Sequence, residues 1–435
     1  MTSEIGPMYT EAYVWVWLPE AVEPVVAGVL TQQGQQLVFN YGRSYLARPD
    51  AMALYAPELP LQPGSIPLVP GLSMPSCIRD ASPDAWGRRV LINRKFGVKG
   101  ADAANLELDE LTYLLESGSD RIGALDFQRS PTRYVPRQTQ QVSLEALLTA
   151  AQQVERGVPL SPELDQALLH GTSLGGARPK VLLDDGERKF IAKFSASNDL
   201  FSVVKAEFIA MRLARKVGLD VASVQLRTAL GKDVLLIERF DRFRHEGHWR
   251  RKAMVSALTI FELDEMMAAY ASYENLAEVI RHRFVNPKST LRELFSRIVF
   301  NVLCGNTDDH ARNHAAFWDG HQLALTPAYD ICPQSRTGQQ ASQAMLIHGA
   351  QRSSQVATCI AAAPSFLLER EEAIGIVNHQ VNVIEREWLA ICHEASVSTV
   401  DQTLFWRRQF LNPFAFLDAP EGVRIPERNC SRFVL

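Results

Sequence analysis

Apolar residues in the first third of the chain alternate with polar ones or form short runs, a pattern typical of strands. Such segments occupy Tyr13–Leu18, Val25–Leu30 and Gln36–Tyr41. Five prolines between positions 57 and 70 predict a loop, and residues 106–115 have the pattern of a short helix. We therefore predict a β-rich N-terminal module with short helices over residues 1–130.

Helix and strand patterns alternate over residues 137–245. An amphipathic helix begins at Ser143, and an Asp-Gly turn at 185–186 joins two apolar segments into a predicted hairpin. A second helix should end at Gly218, because glycine accepts the left-handed conformation at a helix terminus. The predicted elements are strands Lys180–Leu183 and Lys189–Phe194, helix Val203–Lys216, and strands 223–228 and 234–240. Together they indicate a small α/β lobe.

From about Ala253 onward the pattern is mainly helical. Residues 291–304 carry apolar side chains around much of a helical wheel, which predicts a buried helix. We assign residues 246–435 to a helical C-terminal lobe. The whole chain then has an α+β fold in three parts: a β-rich module, a small α/β lobe and a helical lobe.

Composition narrows the classes of function. Lys and Arg number 45 against 49 Asp and Glu, a net charge of −4 that argues against a protein dedicated to coating nucleic acid. The six cysteines form no Cys-x-x-Cys pair and no zinc spacing, as expected of reduced thiols in a cytosolic protein. No apolar run reaches the roughly 18 residues of a membrane span, and the first residues lack a signal-peptide pattern. We expect a cytoplasmic protein with no membrane partner.

A glycine-rich segment and a lysine on the hairpin that follows could contact a nucleotide. Gly175 and Gly176 lie in a loop of small residues, where backbone N–H groups can approach phosphates closely. Lys193 stands among apolar residues on the second hairpin strand, where an unpaired ammonium would be costly to bury. Glu207 on the next helix is placed to be its partner, as in the Lys–Glu pair of kinases.

The densest polar segment, GNTDDHARNH at 305–314, directly follows the predicted buried helix. Asp308 precedes Asn313 by five positions, the spacing of the kinase catalytic loop, whose Asp receives the hydroxyl proton and whose Asn binds magnesium. Asp330 follows Asn313 by 17 positions and is suitably placed as a second metal ligand. Carboxylate and amide oxygens are ligands that magnesium accepts.

The order of these features is more informative than any one of them. A glycine-rich loop, a strand lysine, a helix glutamate, Asp-x4-Asn and a final Asp follow one another as in a two-lobed kinase. The strand 235–241 falls between the lobes, where a kinase hinge would offer backbone groups to adenine. The sequence therefore predicts a phosphotransferase that uses ATP and Mg²⁺.

At these motifs the chain resembles the HipA family of serine/threonine kinase toxins, from about Val14 to the late 370s. The two most specific segments are GNTDDHARNH at 305–314 and LTPAYDI at 325–331. The remaining segments are TSLGGARPK at 172–180, IAKF at 191–194, AEF at 206–208, IERFDR at 237–242, SPDAWGRR at 82–89 and SGSDRIGALDF at 117–127. The resemblance implies a two-lobed kinase fold and phosphorylation of serine in a protein substrate.

The resemblance also implies roles for individual residues. Asp308 would be the catalytic base, His310 would orient the loop, and Ser173 would be autophosphorylated. A phosphate on Ser173 would place about two negative charges where ATP phosphates belong. Asp309 stands where a glycine often sits in that family, which would add a negative charge near the metals. It implies that Lys193 and the backbone of Glu238 and Phe240 contact ATP, and that Asn313 and Asp330 bind magnesium. We also predict that Glu207, Gly175, Gly176 and Tyr329 contribute to the nucleotide site, although Gly175 and Gly176 make this loop differ from the best-known toxins.

Some members of that family are paired with a DNA-binding, HipB-like helix-turn-helix antitoxin. The resemblance therefore implies such a partner for this chain, with DNA contacted only through it. The chain shows no helix-turn-helix pattern of its own.

Two other functions remain open from the residues themselves. Asp308, Asp309, His310 and His314 could bind a transition metal in a nuclease or phosphohydrolase, because carboxylate and imidazole suit such ions. The segment 239–252 carries six cations and Trp249, and could make the chain a non-catalytic DNA-binding regulator. The first alternative leaves Lys193, Glu207 and the glycine-rich loop unexplained. For the second, the segment can equally be a solvated hairpin, whose cations are partly balanced by Glu238, Asp241 and Glu246.

Overall fold

The computed structural model describes residues 9–96, 107–137, 143–156, 178–195, 201–335 and 340–426, with the single positions 158, 160, 161, 168, 199 and 338. Within these ranges the chain forms two compact units. The first combines the residues up to 196 with 227–255 and 317–321, and the second combines 197–226, 256–316 and 322–435. No helix in the described ranges is long and apolar enough to cross a membrane.

The N-terminal sheet is four-stranded and antiparallel, with its core face formed by Val14, Leu30, Phe39 and Phe127. The three predicted strands are confirmed, and a fourth strand from the end of the module pairs with the first. The strands are β1 (Glu11–Val16), β2 (Val25–Gln33), β3 (Gln36–Tyr41) and β4 (Leu125–Gln128), in the order β3-β2-β1-β4.

Four helices accompany this sheet: α1 (Arg43–Leu46), α2 (Ser76–Arg79), α3 (Ala85–Phe96) and α4 (Glu110–Glu116). Helix α4 begins later than the predicted position 106, because Asp109 caps it. The Asp109 carboxylate accepts a hydrogen bond from the Thr112 amide at 2.9 Å, which satisfies one of the unpaired donors of the first turn.

The predicted hairpin is confirmed as β5 (Lys180–Asp184) and β6 (Lys189–Phe194), closed through Gly186 with φ of +88°. It joins β7 (Val224–Ala229) and β8 (Lys232–Glu238) in a sheet of order β5-β6-β8-β7. Helix α5 (Leu144–Glu155), capped by Ser143, contributes to the same buried core. The core includes Leu147, Leu148, Val154, Phe190, Phe194, Val234 and Leu236.

The N-terminal module and this small sheet are packed as one body. Trp86 of α3 belongs to the core of the small sheet, and its indole Nε1 donates to the Lys180 carbonyl at 3.0 Å. The predicted division of the chain into residues 1–130, 137–245 and 246–435 therefore stays a prediction. The first two of these parts pack together within one compact unit.

Five shorter strands lie later in the chain. They are the antiparallel pair β9 (Arg242–His245) and β10 (His248–Arg251), and β11 (Ala253–Ser256), β12 (Ala315–Trp318) and β13 (Leu323–Leu325) in the order β11-β12-β13.

The second unit is mainly helical, as predicted. Its longest helices span Pro287–Cys304 and Arg370–Glu394. The predicted helix over 203–216 is confirmed, and it packs on the second of these long helices with an Arg212–Glu394 ion pair at 3.1 Å. The helices are α6 (Val203–Lys216), α7 (Ala257–Ile260), α8 (Tyr273–Arg283), α9 (Pro287–Cys304), α10 (Val356–Ala362), α11 (Arg370–Glu394) and α12 (Thr399–Phe405).

Candidate active site

The polar segment 305–314 begins where the buried helix α9 ends. Gly305 terminates the helix with φ of +73°, and a side chain there would meet the Gln409 carbonyl oxygen at 2.7 Å. Asn306 is buried; its backbone N–H donates to the Asn301 carbonyl at 2.9 Å and its Nδ2 to Asn301 Oδ1 at 3.1 Å. Asn306 therefore shapes the turn that leads into the loop.

Asp308 and Asn313 are brought together by a short 3-10 turn over Ala311–Asn313. The Asn313 backbone N–H donates to the His310 carbonyl at 2.8 Å, and its Nδ2 donates to the Asp308 carbonyl at 3.2 Å. These bonds engage the amide nitrogen, so the amide oxygen is the atom with which Asn313 could coordinate a cation.

Asp308 is exposed, yet its surroundings disfavour its negative charge. Partial desolvation, followed by the negative charges of Asp330 and Asp309, raises the pKa of the Asp308 carboxyl above its ordinary value, while His310 opposes that shift. A raised pKa makes the ionised carboxylate a better proton acceptor. The repulsion also indicates that Asp330 lies near Asp308, since its charge acts on that carboxyl.

Asp330 lies in a strained turn that is fixed on its N-terminal side. Ala328 exchanges hydrogen bonds with the segment 220–222, accepting from Ala222 N at 2.9 Å and donating to the Asp220 carbonyl at 2.8 Å. Two residues later Asp330 adopts φ of +58°, a left-handed conformation that is uncommon outside glycine. Tyr329 between them donates from Oη to the Arg312 carbonyl at 2.7 Å, which ties this turn to the loop of Asp308.

Asp309 points away from the exposed side of the loop, into the second unit. Its carboxylate accepts hydrogen bonds from Tyr273 Oη, from Asn301 Nδ2 at 2.7 Å and from His314 Nε2 at 2.9 Å. Burial alone would raise the pKa of Asp309, but attraction to His314 and the hydrogen bonds from His314 and Tyr273 outweigh it and lower the pKa. The expectation that Asp309 adds a charge near the metals stays a prediction: its charge acts on Asp308, although its carboxylate is bonded to buried partners below the loop.

The same geometry removes the support for a transition-metal nuclease site. Asp309 and His314 are buried against each other, whereas Asp308 is exposed on the other side of the loop. Across the described ranges, no three His, Cys, Asp or Glu side chains are arranged to hold a metal ion. The four residues of that alternative therefore do not form one site.

The predicted nucleotide contacts divide between the two units. Lys193 lies buried on β6 in the first unit, directly opposite the buried Lys180 on β5. Neighbouring residues of paired strands share one face of the sheet, so two positive charges lie side by side there. Sequence reasoning missed Lys180, although it stands in the glycine-rich segment. Glu207 is buried on α6 in the second unit, so its pairing with Lys193 stays a prediction.

Two more predicted contacts lie at the end of β8. Glu238 pairs with Phe190 across the sheet, and Phe240 follows two residues later. The Arg239 N–H between them donates to the Lys189 carbonyl at 2.8 Å, which fixes the course of this segment. Ser173, Gly175 and Gly176 lie outside the described residues.

The basic segment 239–252 does not present its cations as an open patch. Arg239 and Arg242 are buried in an ion-pair cluster with Asp241 and Asp120. The other cations are engaged as Arg244 with Glu187, Arg250 with Glu20, Arg251 over the Trp17 ring and Lys252 over the Phe243 ring. The alternative of a direct DNA reader therefore loses the observation that favoured it.

The fold and this loop define a two-lobed, kinase-like protein with an N-terminal β-rich module. Residues 16–128 match the HipA N-terminal domain and residues 172–388 match the HipA-like C-terminal domain, so that the two together account for most of the chain. The chain belongs to the HipA-like family.

Relatives and a solved structure agree with this assignment. Y4mE of Sinorhizobium fredii, whose name proposes a kinase, is 30% identical over 176 residues, 37% of this chain and 41% of that protein. The serine/threonine-protein kinase toxin HipA of Shewanella oneidensis is 26% identical over 186 residues, 37% of this chain and 42% of that protein. The chain thus spans about half the length, or less, of the curated relatives it matches.

The structure of the Shewanella oneidensis complex of HipA, HipB and operator DNA contains a chain with the same fold. The TM-score is 0.67 at 20% identity, covering 95% of this chain and all of that one. The predicted α+β, kinase-like fold with its N-terminal module is confirmed.

Proposed function

We propose that this chain is an ATP- and magnesium-dependent protein serine/threonine kinase of the HipA toxin type. The observation that carries the proposal is the convergence of Asp308, Asn313 and Asp330 at the end of a buried helix. Phosphoryl transfer in a kinase requires a proton acceptor and oxygen ligands for magnesium. Asp308 would be the acceptor, and the Asn313 amide and the Asp330 carboxylate would be the ligands. Membership of the HipA-like family and the kinase names of its relatives support the same activity.

Magnesium suits the residues at this place. Asn313 and Asp330 offer the amide and carboxylate oxygens that the ion accepts, and the remaining positions would go to water and phosphate oxygens. The mutual repulsion that raises the pKa of Asp308 would be relieved by a cation beside Asp330. When bound, magnesium and ATP supply the neutralising charge and the phosphoryl group.

The chemical work of the chain is then to move one proton and to hold the reacting groups. Asp308 accepts the proton of a substrate hydroxyl, and its raised pKa favours that transfer. The bond from Asn313 Nδ2 to the Asp308 carbonyl keeps base and metal ligand in one frame. Tyr329 and His310 hold the two halves of the loop in place, Tyr329 through its bond to the Arg312 carbonyl.

On the nucleotide side, the two lysines of the hairpin would bind the phosphates. Lys193 and Lys180 lie side by side on one face of the sheet, an arrangement that an anionic ligand would stabilise. Glu207 would orient Lys193, and the backbone of Glu238 and Phe240 would meet adenine. The remaining proposed contacts are Gly175, Gly176 and Tyr329.

Removal of the Lys193 ammonium tests this proposal directly. We expect Lys193→Ala to lower phosphate transfer from γ-labelled ATP to a general protein substrate by about 10- to 100-fold, because a charge-assisted hydrogen bond of about 1.5–3 kcal/mol is lost. Lys232→Ala, on β8 of the same sheet, is the matched control and should transfer label normally. Unchanged transfer by Lys193→Ala, or nuclease activity that needs no ATP and survives this substitution, would contradict the proposal.

Autophosphorylation of Ser173 is part of the same proposal. Protein incubated with ATP and magnesium should gain the mass of one phosphate, and peptide mapping should place it on Ser173. The modified protein should then lose transfer activity, because the added charge repels the ATP phosphates. A Ser173→Ala protein that still gains one phosphate would place the modification elsewhere.

The proposed partners are a substrate protein with an accessible serine and a HipB-like helix-turn-helix antitoxin. The relative in Shewanella oneidensis forms a complex with HipB and operator DNA. By analogy, this chain would meet DNA only through such a partner, in the cytoplasm where ATP is supplied.

A further inference from the structure

The carboxylate of Asp309 is the centre of a buried network beneath the catalytic loop. Three donors from three different elements meet it: Tyr273 from the start of α8, Asn301 from the last turn of α9 and His314 from the residue preceding β12. Each of these four side chains is buried. The Tyr273 ring also packs edge-on against the His314 ring, with centroids 5.5 Å apart.

The network is connected to both functional halves of the loop. Asp309 directly follows Asp308, and His314 directly follows Asn313. Asn301 uses its Nδ2 on Asp309 and its Oδ1 on Asn306, so the entry to the loop is bonded to the same group. The far end is also fixed, because the His314 carbonyl accepts from Ala257 N at 2.7 Å.

The orientation of the His314 ring depends on Asp309. Nε2 donates to the carboxylate, whereas Nδ1 is buried and has no hydrogen-bond partner within the described ranges. Without the carboxylate, the imidazole, the phenol and the Asn301 amide would each lack a buried acceptor, which costs about 1–3 kcal/mol for each group left unsatisfied. The loop would then rearrange to satisfy them.

We propose that Asp309 is a positioning residue, which sets the separation of Asp308 and Asn313 by holding Tyr273, Asn301 and His314. Asp309 is buried beneath the loop, so it acts through the backbone of its two neighbours. This inference rests on the kinase function proposed above. Misplacement by about 1 Å of a catalytic group can cost about 100-fold in rate, so a firm support below the loop has a direct catalytic consequence.

The decisive variant is Asp309→Asn, which keeps the shape of the side chain but loses its charge. Because Tyr273, Asn301 and His314 all meet Oδ2, a single neutral amide oxygen would replace the charged acceptor that they share. We expect kcat for label transfer to fall by about 10- to 100-fold, with KM for ATP within about twofold of the unsubstituted protein. Tyr273→Phe removes a single donor and should lower kcat less. In the Asp309→Asn background, Tyr273→Phe should add little further loss, because residues that act as one unit are not additive.

The matched control is Glu265→Gln, which removes an exposed ion pair to Arg312 of the same loop. An exposed pair contributes little, so kcat should stay within about twofold. Amide hydrogen exchange supplies a readout that does not need activity: Asp309→Asn should speed exchange at Asn306 and Asn313 by at least about tenfold, and Glu265→Gln should not.

These measurements distinguish failure of the positioning role from failure of the proposed kinase function. The positioning role is overturned if kcat of Asp309→Asn stays within twofold of the unsubstituted protein. It is also overturned if activity falls only in proportion to the fraction of unfolded protein. Unchanged exchange at Asn306 and Asn313 overturns it as well. Absence of label transfer from the unsubstituted protein instead refutes the proposed kinase function, and the exchange data then decide alone whether Asp309 holds the loop.

Discussion

Asp308→Asn should abolish phosphate transfer, with an expected loss in kcat of about 1,000-fold. The amide has the shape of the carboxylate but cannot accept the hydroxyl proton, so the nucleophile is not activated. Because Asp308 is exposed, and its carboxylate accepts no hydrogen bond from a buried donor among the residues that the structure describes, the rest of the loop should keep its structure. The measurement is transfer of label from γ-labelled ATP to a protein substrate under single-turnover conditions, with nucleotide binding followed separately.

Asp319→Asn is a suitable control, because Asp319 is another exposed carboxylate that follows the same loop and caps a turn that asparagine can also cap. It should transfer label at the normal rate. Nucleotide affinity of the Asp308→Asn protein should be retained, since its proposed role begins after ATP is bound. Transfer by Asp308→Asn within tenfold of the unsubstituted rate would remove Asp308 from the role of base.

The stability of this variant should move in the opposite direction from its activity. Asp308 lies close to the charges of Asp309 and Asp330, which disfavour its ionised form. A neutral amide removes that repulsion, so thermal unfolding without nucleotide or magnesium should occur at an equal or higher temperature. Like charges concentrated at one place are typical of sites that are arranged for function rather than for stability.

Much of the candidate site in the second unit could be predicted from the sequence, because its residues lie close together along the chain. Asp308 and Asn313 are five residues apart, and a buried helix precedes them, so spacing and apolar pattern were sufficient to predict the loop. The buried partners of Asp309 could not be predicted, for the opposite reason. Its partners Tyr273 and Asn301 lie 36 and 8 residues upstream, and neither has a pattern that distinguishes it from an ordinary core residue.

The contacts of the cations in the segment 239–252 could not be predicted from the sequence, for a similar reason. Charge counting along the chain indicated a surface patch, but charge counting does not register partners that are distant in sequence. Arg239 donates to the carbonyl oxygens of Asp120 and Arg121, and Arg242 to that of Gly123, which are about 120 positions away. The segments SGSDRIGALDF and IERFDR lie far apart in the sequence, and only the fold shows that they bind each other.

The contact between these motifs gives the second large prediction, that Asp241→Ala should destabilise the first unit by about 3–5 kcal/mol. The Asp241 carboxylate accepts from Arg239 at 2.8 and 3.0 Å, from Arg242 at 2.9 Å and from the Gly123 N–H at 2.8 Å. Among the described residues, its removal leaves the two buried guanidinium groups with the partly buried Asp120 as their remaining acidic partner. Even now burial, followed by repulsion from Arg239, lowers the pKa of Arg242 to about 9.

The measurement is urea unfolding followed by tryptophan fluorescence, with Glu187→Ala as the matched control. Glu187 pairs with Arg244 on the neighbouring ribbon but is largely exposed, so its loss should cost less than about 1 kcal/mol. An Asp241→Ala protein that unfolds at the same urea concentration as this control would show that the cluster contributes specificity of packing rather than stability.

Acid provides an independent check on the same carboxylate. Burial opposes its ionisation, but Arg239 and Arg242 prevail and lower the pKa of Asp241 to about 2. A carboxyl group whose pKa is lower in the folded state stabilises the fold above its unfolded pKa of about 3.9, and that contribution is lost as the pH falls toward 2. The difference corresponds to about 2–3 kcal/mol at neutral pH. The stability gap between the unsubstituted protein and Asp241→Asn should therefore narrow between pH 4 and pH 2, because protonation of Asp241 then makes the two side chains alike in charge.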